Sequence, residues 1–137
     1  MRQGEIRTLT WGALRQDGRY AHLPKTKNGD PRDVPLSSEA RAVFSQLQPA
    51  DADPAGRIFP VETGDAVSMA FRKACAAAEP PLIDLHYHDL RHEAVSRFYE
   101  RTKLRDLEIA KITGHKSLEM LARYADIRAP DLSNKLN

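Results

Sequence analysis

The residues best suited to chemistry lie in one short run, Leu85-His86-Tyr87-His88-Asp89-Leu90-Arg91-His92. His88 and Arg91 are three apart, and His88 and His92 four apart. On a helix those spacings put the side chains on one face. A helix N-terminus favours an anion. Arg91 adds a planar fork of donors that suits phosphate. Imidazole and guanidinium together at a helix start make a good phosphodiester site.

Two other readings compete. His86, His88, His92 and Glu93 could be metal ligands, but no Glu follows the first His as the HExxH zinc motif requires, and an Arg among the ligands would repel a cation. No metal is therefore expected. The plainer alternative is a helix start with ordinary buried histidines. A second run, Thr113-Gly114-His115-Lys116-Ser117 followed by Arg123-Tyr124-Ala125-Asp126, is uninformative taken residue by residue. A lone Tyr after a helix is usually a core or surface aromatic, and His115 could be a turn residue.

The elements that must hold these groups can be read from pattern. Arg2 to Leu9 reads as a short helix, and Trp11–Leu14, Arg19–Leu23 and Arg32–Leu36 as three short strands. Gln16-Asp17-Gly18 and Asn28-Gly29-Asp30-Pro31 separate them, and Asp-Gly and Asn-Gly tolerate the positive φ of hairpin turns. Ser37 or Ser38 can cap a helix to about Leu47. Pro49 to Gly56 reads as a loop. A helix from about Asp65 to Ala78 stops before Pro80-Pro81, and another runs from near His88 to Arg101. Leu104–Ile112 is a helix closed by Gly114, Ser117–Tyr124 the next, and the tail from Asp131 has room for one more turn. The expected fold is α+β and mostly helical, a small three-stranded antiparallel sheet packed beside a helical bundle.

Length and charge set outer bounds. The 137 residues suffice for one domain with a real core. A net charge of +2 does not by itself point to nucleic acid, so that argument rests on placement. Lys25, Lys27 and Arg32 crowd one stretch, and Arg97, Arg101, Lys103 and Arg105 another; the second is at least as well explained as a solvated surface. Cys75 is the only cysteine, which excludes an intrachain disulfide and fits a reducing cytoplasm. No apolar run is long enough to span a membrane, and the first ten residues hold no signal-like segment.

Taken together, the motifs resemble the tyrosine recombinase (phage integrase) family. That family has an HxxR motif, then a Gly-His turn, then a nucleophilic Tyr nine residues after that His. Here the HxxR is His88-Asp89-Leu90-Arg91, the Gly-His is Gly114-His115, and Tyr124 stands nine residues on. The family text "LGHxS…RYxH" is similar to Ile112-Thr113-Gly114-His115-Lys116-Ser117 and Arg123-Tyr124-Ala125-Asp126. Its "GMRxGEI" segment with a following "L.W" resembles Met1-Arg2-Gln3-Gly4-Glu5-Ile6 and Leu9-Thr10-Trp11. Its "KTKNGKxRxVPL" hairpin resembles Lys25 through Leu36.

The resemblance implies a DNA breaking-rejoining catalytic domain over residues 1–137, without the first helices of that domain or a preceding DNA-clamping domain. It implies a site-specific recombinase whose Tyr124 attacks DNA to leave a 3′-phosphotyrosine, needing no cofactor. The implied roles are Arg2 and Arg91 on the phosphoryl oxygens, His88 helping the tyrosine proton away, His115 on the scissile phosphate, and Lys27 as general acid with Lys25 as the alternative. Glu5 would support Arg2, and His92 would support the site. Lys25, Arg32, Lys116 and Arg123 would touch DNA. The implied partner is double-stranded DNA, with self-association into a tetramer on it, in a bacterial or phage-derived nucleoid setting. An inactive remnant that only binds DNA or protein, and a type IB topoisomerase-like enzyme, are the alternatives.

Overall fold

The computed structural model describes residues 1–24 and 29–125. Lys25, Lys27, the Asn28 end of the second turn and the expected turn after Asp131 lie outside the described residues. The chain is mixed α/β and forms two compact units, one from Met1 to His88 and one starting at Asp89.

The first unit begins with α1 (Gln3–Arg7), a 3-10 turn (Trp11–Ala13), β1 (Leu14–Arg15), β2 (Tyr20–Leu23) and β3 (Arg32–Pro35). The strands form an antiparallel sheet in the order β1-β2-β3, with Leu14 opposite Ala21 and Ala21 opposite Val34. The first hairpin turns where Gln16, Asp17 and Gly18 all have positive φ, at 48°, 55° and 75°. In β2 the buried Ala21 and Leu23 alternate with the half-buried Tyr20 and His22, so one face of the strand is core. Leu9, Val34, Ile58 and Cys75 are also buried in this unit.

Two helices complete it. In α2 (Ser38–Leu47) the expected capping residue is Ser37 rather than Ser38: its Oγ accepts from the Ala40 N–H at 3.2 Å. Thr63 caps α3 (Gly64–Ala76) in the same way through Ala66. At the start of α4 (Tyr87–Arg101) the Tyr87 ring meets Phe71 of α3 edge-on at 5.9 Å. Burial pushes the Tyr87 phenol above its ordinary pKa.

The second unit holds most of α4, then α5 (Asp106–Thr113) and α6 (Glu119–Ala125). Its core is Val95, Tyr99, Ile109, Leu121 and Tyr124, with Phe98, Leu104 and Ala110 packed against it. Gly114, at φ 73° and ψ 35°, ends α5 in the left-handed conformation expected of a glycine cap.

Two expectations need correction. Of the expected strand Trp11–Leu14 only Leu14 lies in a strand, β1; Trp11–Ala13 is a 3-10 turn. The Trp11 N–H donates to Gly56 O at 3.0 Å and the Gly12 N–H to Pro54 O at 2.7 Å, so this backbone is tied to the loop before Ile58. Gly12 is required there, because a Cβ would stand 2.8 Å from Pro54 O. The first helix ends at Arg7, not Leu9. Leu9 O accepts from the Ile58 N–H at 2.9 Å and Thr10 bridges Arg57, so extended pairing replaces the last helical turn.

Candidate active site

In the second unit, Tyr124 on α6 is a core residue, 6 % exposed. Its ring stacks on Tyr99 of α4, with centroids 6.3 Å apart and planes 14° apart. Its hydroxyl is hydrogen-bonded to Nδ1 of His92, and the Arg123 guanidinium lies 5.9 Å from its ring centre. His92 is one turn after His88 on α4, so the histidine bonded to the tyrosine is the one that follows Arg91, not the His88 of the HxxR motif. A buried phenol needs such a partner.

Arg91 points to the end of α5. Its Nη2 donates to Thr113 O at 2.6 Å and lies 3.4 Å from Nε2 of His115. The Gly114 turn makes this meeting possible. The N–H groups of Gly114 and His115 both donate to Ala110 O, at 2.7 and 3.1 Å, which folds the chain sharply after α5. The other edge of the His115 ring, Nδ1, is 2.6 Å from the Thr113 hydroxyl. A guanidinium and an imidazole side by side at a helix end can meet one phosphoryl group with both charge and hydrogen bonds.

In the first unit, Arg2 precedes α1. Its backbone N–H donates to Glu5 Oε2 at 2.6 Å, and its Nη1 lies 3.4 Å from Glu5 Oε1. Glu5 is 6 % exposed and takes both terminal nitrogens of Arg32, at 2.7 and 2.8 Å. Burial works against the Glu5 charge. The Arg32 fork, the Arg2 N–H and the two positive charges outweigh it, and hold the carboxyl below its ordinary pKa. The helix is fastened at both ends: the Gln3 amide donates to Gly64 O at 2.5 Å and Ser68 Oγ at 2.9 Å, and Arg7 donates to Glu62 O at 2.5 Å. Arg2 therefore sits on an anchored segment despite standing second in the chain.

The remaining expected residues divide by exposure. His88, Lys116 and Arg123 are exposed, whereas the Arg32 side chain is 7 % exposed with its fork on Glu5. In the other basic cluster Arg97 pairs with Glu93 and Arg105 with Glu108, both on the surface. Among the described residues no group of three or more His, Cys, Asp or Glu is placed to hold a metal ion, and no helix is long and apolar enough to cross a membrane. Two residues that the motifs do not single out touch residues expected in the site: Tyr99 stacks on Tyr124, and Thr113 touches both Arg91 and His115. The signal for Thr113 was a polar residue four after the buried Ile109, on the core side of α5.

The phage integrase family profile matches residues 1–130. Over its full length the chain is 47 % identical to a shufflon-specific DNA recombinase of Escherichia coli, covering 34 % of that protein. Over 97 % of its length it is 37 % and 34 % identical to two putative integrase/recombinases of Haemophilus influenzae, covering 41 % and 34 % of them. The chain thus spans only about a third to two-fifths of the length of these relatives.

Proposed function

The chain belongs to the phage integrase family, and from that membership we propose that it is the catalytic domain of a tyrosine-type, site-specific DNA recombinase with the DNA breaking-rejoining fold. The observation that carries the reading is local. The family's Arg and Gly-His meet in the second unit, and the hydroxyl of the family's Tyr is bonded to the residue next to that Arg. The relatives' names, recombinase and integrase, favour this reading over the topoisomerase-like one.

The step is a transesterification. The Tyr124 oxygen bonds to the scissile phosphorus, the bond from phosphorus to the 5′ oxygen breaks, and a 3′-phosphotyrosine remains. A phenol has an ordinary pKa of about 10, so its proton must leave to a base during attack. In this reading His88 and His92 serve that end. Arg2 and Arg91 stabilise the charge on the phosphoryl oxygens, with His115 hydrogen-bonded to the same group. Lys27, or Lys25 beside it, protonates the leaving 5′ oxygen. Glu5 holds Arg2, while Lys116 and Arg123 lie against the DNA backbone. Reversal by a second DNA end reseals the strand, with no water or cofactor consumed. Double-stranded DNA is the substrate, copies associate on it, and the work is done at the nucleoid.

The test is a nicked suicide substrate carrying a relative's recombination site, incubated with the chain and its Tyr124→Phe variant. The expected result is a covalent adduct on a denaturing gel that only the unaltered chain forms. An adduct that persists in the variant would remove Tyr124 as nucleophile.

A further inference from the structure

Thr113 is buried at 6 % exposure and ends α5. Its hydroxyl carries one proton. Thr113 Oγ1 lies 2.7 Å from Ile109 O, with Ala110 O a longer second acceptor at 3.4 Å. Two oxygens that close need a proton between them, and a carbonyl has none to give. The hydroxyl proton is therefore directed at the Ile109 carbonyl. The same oxygen is 2.6 Å from Nδ1 of His115, so the proton in that contact must come from the ring. Arg91 gives the same answer from the other edge. Arg can only donate, and its Nη2 lies 3.4 Å from Nε2, which is thus on the accepting side of the neutral ring.

From this donor and acceptor pattern we propose that Thr113 is a positioning residue that fixes His115 as the Nδ1-protonated tautomer, with Nε2 turned to Arg91 and to the phosphate the pair would bind. One residue then orients both groups: its hydroxyl holds the His115 ring and its carbonyl holds Arg91 Nη2 at 2.6 Å. In the neutral ring, Nε2 is the atom that accepts a hydrogen bond or proton. It donates to a phosphoryl oxygen only after the ring takes up a second proton. Where the family text quoted above has Leu before Gly-His, this chain has Thr113.

The assignment of the tautomer stands on the hydrogen bonds; its effect on DNA cleavage rests on the proposed function. The first measurement is long-range proton–nitrogen NMR of the ¹⁵N-labelled chain, with the His115 ring signals identified by their loss in His115→Gln. The unaltered chain and Thr113→Ser should show a protonated Nδ1, and Thr113→Val should lose that preference. An Nε2-protonated ring in the unaltered chain overturns the proposal without any variant, and so does an unchanged ring in a folded Thr113→Val. The second is the rate of adduct formation on the suicide substrate. Thr113→Val should slow it about tenfold, the rate equivalent of losing one ordinary hydrogen bond, and Thr113→Ser should recover most of the loss. Equal rates in Thr113→Val and the unaltered chain would remove the positioning role. If the unaltered chain forms no adduct while its ring is Nδ1-protonated, the functional reading fails and the tautomer assignment stands.

Discussion

The Tyr124 hydroxyl and Nδ1 of His92 are hydrogen-bonded to each other, one from α6 and one from α4. The pair lies on the core of the second unit, and Tyr99 stacks on the tyrosine ring from the same helix as His92. A double-mutant cycle measures what the pair contributes. His92→Leu leaves a buried hydroxyl without this partner and should cost about 1–3 kcal/mol. Tyr124→Phe alone should cost about 1 kcal/mol, and the two changes together should cost less than their sum. Urea unfolding of the four proteins gives the coupling; strict additivity would mean that the bond contributes nothing.

Arg91 offers a prediction about geometry rather than charge. Arg91→Lys keeps the positive charge but loses the flat fork that joins Thr113 O to the edge of His115. On the proposed chemistry it should slow adduct formation by about a hundredfold, the order seen when one preorganised donor is lost. Single-turnover cleavage of the suicide substrate is the check, and a rate within about threefold of the unaltered chain would show that charge alone suffices at that position.

Glu5 gives a pH prediction. Its folded pKa lies below the ordinary value of 4.5, despite burial, because Arg32, the Arg2 N–H and their charges favour the carboxylate. The stability it contributes is therefore full above that value and is lost as pH falls through the depressed one. Glu5→Gln should lower stability at neutral pH and flatten its decline in acid. Glu39 and Glu108 are also held low, chiefly by backbone N–H groups, but both stand in solvent and should add little. Arg32→Met removes the buried partner outright and should cost about 3 kcal/mol. Thermal unfolding from pH 2 to 7 reads both variants.

DNA binding should be steeply salt-dependent, with the logarithm of the affinity falling linearly in the logarithm of salt. Lys116 is exposed beside His115, and Lys116→Gln should lower the magnitude of that slope by about one. Fluorescence anisotropy with a short labelled duplex from 50 to 200 mM salt (roughly the range over which such contacts titrate) measures it. An unchanged slope would take Lys116 off the DNA.

Legibility in the sequence followed how local each feature is. The first hairpin could be read because Asp17-Gly18 tolerates the positive φ it adopts. The caps at Ser37 and Gly114 likewise use contacts within a few residues. Trp11–Ala13 is a 3-10 turn rather than strand because the Trp11 and Gly12 N–H groups go to Gly56 and Pro54, far along the chain. Leu9 left the helix for a similar reason, its pairing with Ile58. In the site, residue types and spacing singled out Arg91, His115 and Tyr124 through the family resemblance. That Tyr124 bonds to His92, that Arg32 closes on Glu5 and that Thr113 touches two site residues are facts of side-chain direction, which spacing does not carry.

The stacking of Tyr124 on Tyr99 has a consequence for the proposed cycle. The Tyr124 residue is 6 % exposed with its ring stacked on Tyr99, and a DNA strand on its oxygen is far bulkier than the hydroxyl packed there. Joining DNA would draw the ring out of the core and leave a gap beside Tyr99, Ile109 and Leu121. Refilling that gap is favourable, by the same packing that makes cavities costly. The broken strand would then be the strained state of the cycle, and the protein's own core would pull towards resealed DNA.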